Sequence, residues 1–148
     1  MKKNFLTLSL SLIVISMASF ANPGTKEEPR TVLAFNKMFA GATDVKWTQV
    51  RDGYSQVAFT WSEHRTLAFF DEKGAFVGSI RGIFFKELPL SVVRSLNKQF
   101  NEPVVLQAAE IYNEEGTRYS IEIEYKHKQY NVKYDASGSL IEKTRTKK

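Results

Sequence analysis

The stretch QVAFTWSEHRTLAFFDEKGAFVGSI at residues 56–80 decides the fold. Apolar and polar residues alternate over 56–61, which predicts a strand that buries one face. Short polar turns then separate this strand from two more, which cover residues 66–70 and 76–80. Strands joined by turns of so few residues run antiparallel. The stretch therefore predicts an antiparallel meander.

A helix and another strand precede this meander. Val32, Phe35 and Phe39 fall at helical spacing, Met38 widens the apolar stripe, and Gly41 ends it. A helix followed by a strand and a tight hairpin turn is therefore predicted before residue 56. The residues that carry this strand and its turn are Val45, Trp47, Gln49, Asp52 and Gly53.

The same order of elements begins again downstream. A second amphipathic helix is predicted after Leu88-Pro89, and four more strand patterns follow it. The apolar face of this helix consists of Val92, Val93, Leu96 and Phe100. The strand patterns lie at 104–112, 121–125, 130–134 and 140–141.

The two halves of the chain resemble each other. Phe59 aligns with Ile123, and the Asp-x-x-Gly turn at Asp71 aligns with that at Asp135, both at an offset of 64 residues. Chance similarity among alternating strands is the alternative interpretation. We predict a tandem duplication in the α+β class, with one helix and a four-stranded antiparallel sheet in each unit (αβ4-αβ4). The two sheets either continue into each other or pack edge to edge.

The first 21 residues have the pattern of a signal peptide. Lys2 and Lys3 precede an apolar run, and Ser19 and Ala21 occupy the −3 and −1 positions of a small-residue cleavage site. Cleavage is predicted after Ala21, and an uncleaved anchor is the alternative. The predicted organisation is a signal peptide at 1–21, a polar leader at 22–30, a first unit at 31–81, a linker at 82–88, a second unit at 89–145 and a basic tail at 146–148.

Composition excludes several classes of protein. The chain has 148 residues, no cysteine and a formal charge of +5. The lack of cysteine excludes disulfides, thiolate metal sites and a cysteine nucleophile. Residues 22–141 carry equal numbers of basic and acidic residues, so the positive excess lies on the C-terminal residues 142–148, which we expect to be frayed. A nucleic-acid binder concentrates its charge on a folded face, so nucleic-acid binding is not expected.

Several short motifs resemble a known family. FAGATDVKW at 39–47, Gly53-Tyr54, FDEKG at 70–74 and Leu88-Pro89 resemble the PepSY-like, beta-lactamase-inhibitor-like exported proteins of Bacteroidetes. The resemblance covers roughly residues 31–145. It implies a tandem αβ4 fold, a periplasmic or secreted location, no known catalysis, and kinship in shape with proteins that inhibit hydrolases through an exposed sheet face and loops. The chain lacks the cysteines of the secreted beta-lactamase inhibitors, so no inhibitory residue is carried over.

No motif for catalysis or metal binding stands out. His64 and His127 occupy turn positions far apart in sequence, and Asp71 and Asp135 fit turns better than calcium loops. Ser79 follows a glycine inside a predicted strand, which is not a nucleophile elbow. The expectation is a protein without catalytic, metal-binding or cofactor-binding residues. A paired-carboxylate hydrolase is the catalytic alternative that the sequence leaves open.

One predicted strand is apolar on both faces. Leu67 to Phe70 lacks the polar alternation of a strand with one wet side. Its outward face could be covered by the second unit or the linker Ile83–Phe85, by a second copy of the chain, or by a different partner. Phe84 and Phe85 are expected to form core between the units. The candidate partner surface consists of Tyr54, Ala58, Leu67, Phe69 and Val77.

Two functional hypotheses follow. The first is a non-catalytic exported binding module whose partner is another exported or envelope protein, as an inhibitor of, or partner for, a hydrolase or peptidase. A homodimer is compatible with it, and no membrane span is expected in the mature chain. The alternative is a small-ligand protein that binds a peptide, glycan or lipid in the groove between the units, with Trp47, Trp61 and Tyr54 as candidate contacts.

Overall fold

The computed structural model describes residues 29–50 and 53–146. The predicted signal peptide, most of the leader and Asp52 lie outside these residues. Helix α1 is Pro29–Met38, and β1 to β4 follow at Thr43–Gln49, Ser55–Trp61, His64–Phe70 and Phe76–Ile83. A 3-10 helix at Phe85–Glu87 leads into helix α2, Leu90–Gln99, and β5 to β8 follow at Val104–Asn113, Gly116–Tyr125, Lys128–Asp135 and Leu140–Thr146.

All eight strands form one antiparallel sheet, in the order β1 to β8. The two halves join where β4 pairs with β5, with Ile80 opposite Ile111 and Arg81 opposite Glu110. The α+β class is confirmed, and of the two predicted arrangements the continuous sheet is the one observed. In the described residues each helix is followed by four strands, in the predicted order.

Both helices cover the same face of the sheet. Ala68, which belongs to the core under α1, lies opposite Ser79 of β4. Ile83, four residues further along β4, therefore points to the same side, and it belongs to the core under α2. We call the opposite face, on which no helix of the described residues lies, the open face.

The core under α1 is aromatic. Phe35 of α1 and Phe39, which directly follows α1, contact Phe59 of β2, with ring centroids 4.9 and 4.7 Å from that of Phe59. Trp47 and Trp61 are partly buried and pack against these rings. The indole Nε1 of Trp61 donates a hydrogen bond to the carbonyl oxygen of Ala40 at 3.1 Å. The buried members are Phe35, Phe39, Val57, Phe59, Ala68 and Phe70, and we call them with their neighbours the first cluster.

The core under α2 is larger and more aliphatic. Val92, Leu96 and Phe100 are buried as predicted, and Val93 packs at the margin. We call this core the second cluster; its other buried members are Ile83, Leu88, Ala108, Tyr119, Ile121, Ile123, Val132 and Tyr134. Because Ile83 comes from β4, the last strand of the first unit completes the core of the second.

Three expectations about the core and the C-terminal end are wrong. Phe84 and Phe85 are 58% and 46% exposed, because β4 extends to Ile83 and that residue fills the space that they were expected to fill. Met38 is 44% exposed, since Phe35 and Phe39 already occupy the space between α1 and the sheet. The C-terminal residues were expected to be frayed, but they belong to β8 as far as Thr146, which pairs with Gln129 of β7.

Candidate binding surface

An apolar row crosses four strands on the open face. Leu67 of β3 lies opposite Ala58 of β2 on one side and Ile80 of β4 on the other. Ile80 in turn lies opposite Ile111 of β5, so the row continues across the junction between the two halves. With Phe69, two residues along β3 from Leu67, these residues form what we call the apolar strip. Its side chains are half-buried, although no helix of the described part covers them.

Small residues border the apolar strip. Phe69 lies opposite Gly78, where a Cβ atom would come within 2.5 Å of the carbonyl oxygen of Tyr112. The strand backbone is therefore too close at this position for any side chain. Gly82 and Ala109 form the next open-face pair between β4 and β5. The centre of the open face is thus built from apolar and small residues without a formal charge.

The open face turns polar on β6 to β8. Glu122 lies opposite Asn131 and Glu124 opposite Gln129, and the hydroxyl of Ser120 bonds with the side chain of Asn131. These polar pairs lie beside the apolar strip on the same sheet. The open-face side chains of β6 and β7 are therefore polar, in contrast to the apolar strip on β2 to β5.

An ion pair completes this polar region. Lys133 Nζ donates to Glu142 Oε2 at 2.6 Å. That hydrogen bond, together with one from the hydroxyl of Thr144, holds the pKa of Glu142 below its usual value. The pair connects β7 to β8 on the open face.

The structure brings three of the five predicted surface residues together. Ala58, Leu67 and Phe69 are cross-strand neighbours on the open face. Tyr54 is half-buried and directly precedes β2. Val77 lies at a bulge, since Phe69 pairs with Gly78 and Phe70 pairs with Phe76. Val77 is thus the extra residue between two pairs and is not part of the cross-strand row.

Two residues of the apolar strip were missing from the predicted surface. Ile80 and Ile111 complete it, and they meet only because β4 pairs with β5. Each is an apolar residue in a strand pattern, and such a pattern gives no sign of the face to which the residue points. The pairing of Ile80 with Ile111 across the linker was the information that the sequence lacked.

A polar seam, which consists of Arg81, Glu110 and the hydroxyl of Tyr119, lies on the helix side of the sheet. Arg81 Nη2 lies 3.0 Å from Glu110 Oε1, and the hydroxyl of Tyr119 donates to Glu110 Oε2 at 3.4 Å. Burial, reinforced by the negative charge of Glu110, raises the pKa of Tyr119. Among the described residues, Arg81 Nε is buried without a hydrogen-bond partner. The seam connects β4, β5 and β6.

The residues predicted to line a ligand groove do not converge. Trp47 packs against Phe35 and Phe70 inside the first cluster, and Trp61 packs against Phe39. Both indoles are thus used as core. Tyr54 neighbours Ser55 at the start of β2 and is in neither core cluster. The proposed set of three aromatic contacts is therefore wrong.

The two histidines serve separate local structures. His64 Nε2 lies 3.1 Å from Glu87 Oε1 and its ring contacts Phe84, which fastens the 3-10 helix to β3. The hydrogen bond from the backbone N–H of Phe84 lowers the pKa of Glu87. His127 lies in the turn between β6 and β7. Within residues 29–50 and 53–146, no group of three or more metal-ligating side chains forms.

Comparison with known proteins finds a similar fold in solved structures of Bacteroides proteins. No family model and no curated protein matches the chain. A BLIP-like protein from Bacteroides fragilis has 18% identity and a TM-score of 0.72, with 83% of this chain and 89% of that chain covered. A DUF2874 family protein from Bacteroides ovatus has 19% identity and a TM-score of 0.72, with 82% and 89% covered.

A third similar structure is described as a proposed periplasmic protein, from Bacteroides eggerthii. It has 17% identity and a TM-score of 0.72, with 82% of this chain and 90% of that chain covered. At such identities the likeness concerns the fold, and it supports the beta-lactamase-inhibitor-like part of the predicted resemblance at that level. The PepSY part stays a prediction. None of the helices in the described part of the chain is long and apolar enough to cross a membrane.

Proposed function

We propose that this chain is a non-catalytic exported binding module that docks another exported protein on its open face. The apolar strip is the observation that carries the proposal. Leu67, Phe69 and Ile80 lie side by side on the face of the sheet that no helix of the described residues covers. Covering an aliphatic or aromatic side chain fully contributes about 1.5–3 kcal/mol relative to full exposure, so half-buried side chains still gain from a partner. Apolar patches with polar surroundings are typical of protein-binding sites.

The proposal also includes export of the chain and inhibition of the docked protein. The signal-peptide pattern at 1–21 supports a periplasmic or secreted location, with cleavage after Ala21. The likeness in fold to a BLIP-like protein supports the view that the docked protein is a hydrolase or peptidase, which the chain would inhibit by covering its surface. The contacts that would decide inhibition lie on the open face and its bordering turns.

The tandem duplication belongs to the same proposal. The Asp-x-x-Gly turn of each half approaches the first turn of its own helix: a Cβ atom at Gly74 would lie 3.1 Å from Thr31 N, and one at Gly138 would lie 2.5 Å from Ser91 O. Equivalent turns in contact with equivalent helix starts support an origin from one αβ4 unit. In this view β2 to β5 kept an apolar open face for docking, while that of β6 and β7 became polar.

Capture followed by measured affinity tests the docking surface. Because the chain has no cysteine, a single Leu33→Cys on the outer side of α1 allows immobilisation with the open face directed outward. Envelope proteins of the source organism that bind are identified and purified. Their Kd is then measured for the unmodified chain and for Leu67→Glu/Phe69→Glu. We expect the double variant to weaken binding by at least about thirtyfold, which corresponds to the loss of one interface hot spot.

A matched control uses an exposed leucine on the helix side. Leu90, at the start of α2, is 61% exposed, and Leu90→Glu should leave the Kd unchanged. Circular dichroism checks that both variants fold. Equal Kd values for the unmodified chain and Leu67→Glu/Phe69→Glu would show that the open face is not the docking surface. The inhibitory part fails separately if a saturating amount of the chain leaves the hydrolytic activity of the captured enzyme unchanged.

A further inference from the structure

A second feature lies near the other edge of the sheet, where β6 ends, β7 begins and β8 ends. The turn between β6 and β7 carries Lys126 and Lys128, and β8 carries Lys143 and Arg145. The side chains of all four are exposed. We call these four residues the basic end. They are separated in sequence, and the fold brings them to one corner of the sheet.

The strand register places Lys128, Lys143 and Arg145 near one another, and Lys126 lies in the turn that leads to Lys128. Lys128 pairs with Tyr125 across the β6–β7 turn, and Arg145 lies opposite Tyr130, two residues along β7 from Lys128. Lys143, two residues before Arg145, points to the same side of β8. Lys143 and Arg145, which contribute to the positive charge of the C-terminal residues, are therefore held on a folded edge, and the hairpin lysines extend the charge.

The cations of the basic end are not neutralised. Within residues 29–50 and 53–146, none of the ion pairs includes any of the four. The neighbouring acids are engaged or directed elsewhere: Glu142 is bonded to Lys133 and Thr144, and Glu124 pairs with Gln129 on the open face. Glu102 lies in the loop after α2. Unpaired cations at one corner give a local positive potential over the surface.

Aromatic rings hold part of this charge in place. Lys143 Nζ lies 4.6 Å from the ring centroid of Phe100 and 5.3 Å from that of Tyr130. Lys126 Nζ lies 5.1 Å from the ring of Tyr125. Cation–π contacts of this kind fix an ammonium group without neutralising it. The basic end thus presents charges in defined positions, beside tyrosines of the type that is common at membrane–water interfaces.

We propose that the basic end binds the phosphate groups of anionic lipids, so that the module lies against a membrane surface of the envelope while its open face stays available. Clustered lysines and arginines that are not paired with acids are attracted to an anionic leaflet. Duplex DNA offers similar phosphates, but the signal-peptide pattern directs the chain to a compartment without nucleic acid. The strand order places the basic end at β6 to β8 and the docking strip at β2 to β5, so the two surfaces do not compete.

Vesicle sedimentation tests the proposal. The exported form is mixed with vesicles of phosphatidylglycerol and phosphatidylcholine, with pure phosphatidylcholine as reference. We expect binding only to the anionic vesicles, with affinity that falls as salt is raised. Because each cation near an anionic surface contributes about a fivefold gain in affinity, Lys128→Gln/Arg145→Gln should weaken binding by about 25-fold. Lys126→Glu, in an exposed turn, provides a second variant that does not alter the strand pairing.

The control variant removes two cations from the opposite edge. Lys37→Gln/Lys46→Gln changes an exposed lysine of α1 and one of β1, with the same change in net charge, and should bind the anionic vesicles as the unmodified chain does. Equal losses in the control and in Lys128→Gln/Arg145→Gln would overturn a defined site, and so would equal binding to both kinds of vesicle. Tighter binding to a DNA duplex or to a soluble acidic polysaccharide than to the anionic vesicles would overturn the choice of lipid.

Discussion

Asp71 and Asp135 have the same structural role in the two halves of the chain. Asp71 Oδ1 accepts hydrogen bonds from the backbone N–H groups of Lys73 and Ala75, and Asp135 Oδ1 accepts them from Ser137 and Ser139. Each carboxylate thus satisfies two backbone donors of a tight turn, as such side chains commonly do. The sequence-based interpretation of these motifs as turns is confirmed in both halves.

Acid should weaken the fold through Asp135. Hydrogen bonds, first that from the hydroxyl of Ser137 and then those from the backbone, lower the pKa of Asp135. The unfolded chain therefore takes up a proton near pH 4, before the folded chain does. The stabilisation is complete above that pH and is lost as the pH falls through the folded-state pKa. Asp135→Asn cannot titrate, so its free energy of unfolding should fall less between pH 5 and pH 2.

Urea unfolding at several pH values measures this difference. Glu114→Gln, in the exposed turn before β6, removes one carboxylate and serves as the control for net charge. Parallel pH curves for Asp135→Asn and the unmodified chain would contradict the assigned role, because the titrating group would then lie elsewhere.

Gly138 is required both by its backbone conformation and by its surroundings. Its φ is +88°, and a Cβ atom there would meet the carbonyl oxygen of Ser91 at 2.5 Å. Gly41 has a similar φ of +82° but nothing within 4 Å of its Cβ position. Left-handed backbone costs an alanine about 1–2 kcal/mol, and overpacking adds about 1–3 kcal/mol.

We therefore expect Gly138→Ala to destabilise the fold by about 2–5 kcal/mol and Gly41→Ala by about 1–2 kcal/mol. The two midpoints of urea unfolding give the comparison directly. Equal losses would mean that the turn moves away from α2 at little cost, and the contact between Gly138 and Ser91 would then contribute nothing to stability.

At the level of elements, the strands and helices were predictable but their pairing across the linker was not. Alternation at 56–61 and helical spacing at Phe35 and Phe39 are local patterns, and the structure has these elements in the predicted order. The pairing of β4 with β5 depends on contacts between residues far apart in sequence. For this reason Ile80 and Ile111 were missing from the predicted surface, while Leu67 and Phe69 were found from their own strand.

The ion pair between Arg81 and Glu110 should stabilise the β4–β5 junction modestly. Both side chains are partly exposed, at 31% and 27%, which limits the gain from their attraction. A double-mutant cycle with Arg81→Gln and Glu110→Gln should give a coupling energy of about 0.5–1 kcal/mol. The measurement is the free energy of urea unfolding for the four proteins of the cycle.

A more exposed pair gives the control for this cycle. Arg118 and Glu115 are 38% and 58% exposed, and their coupling energy should be smaller. A coupling at the junction no larger than that of Arg118 and Glu115 would show that backbone pairing alone holds β4 to β5.

For the whole molecule, one sheet carries two separate cores. The first cluster lies under α1 and the second under α2, and Ile83 of β4 contributes to the second. The continuous pairing of β4 with β5 means that neither half ends in a free sheet edge at the junction. Loss of one half would expose the unpaired edge strand of the remaining sheet and the side chain of Ile83 to water. The two units should therefore unfold together, although their cores do not merge.

The two tryptophans make this cooperativity measurable. Trp47 and Trp61 both belong to the first cluster, so tryptophan fluorescence reports the first half alone. Leu96 is completely buried in the second cluster, and Leu96→Ala should cost about 2–5 kcal/mol. If the halves unfold as one unit, this substitution lowers the fluorescence-detected midpoint as much as the midpoint from circular dichroism, which reports both halves. A fluorescence midpoint that stays at its original value would instead show two independent domains, joined by a sheet that transmits no stability from one core to the other.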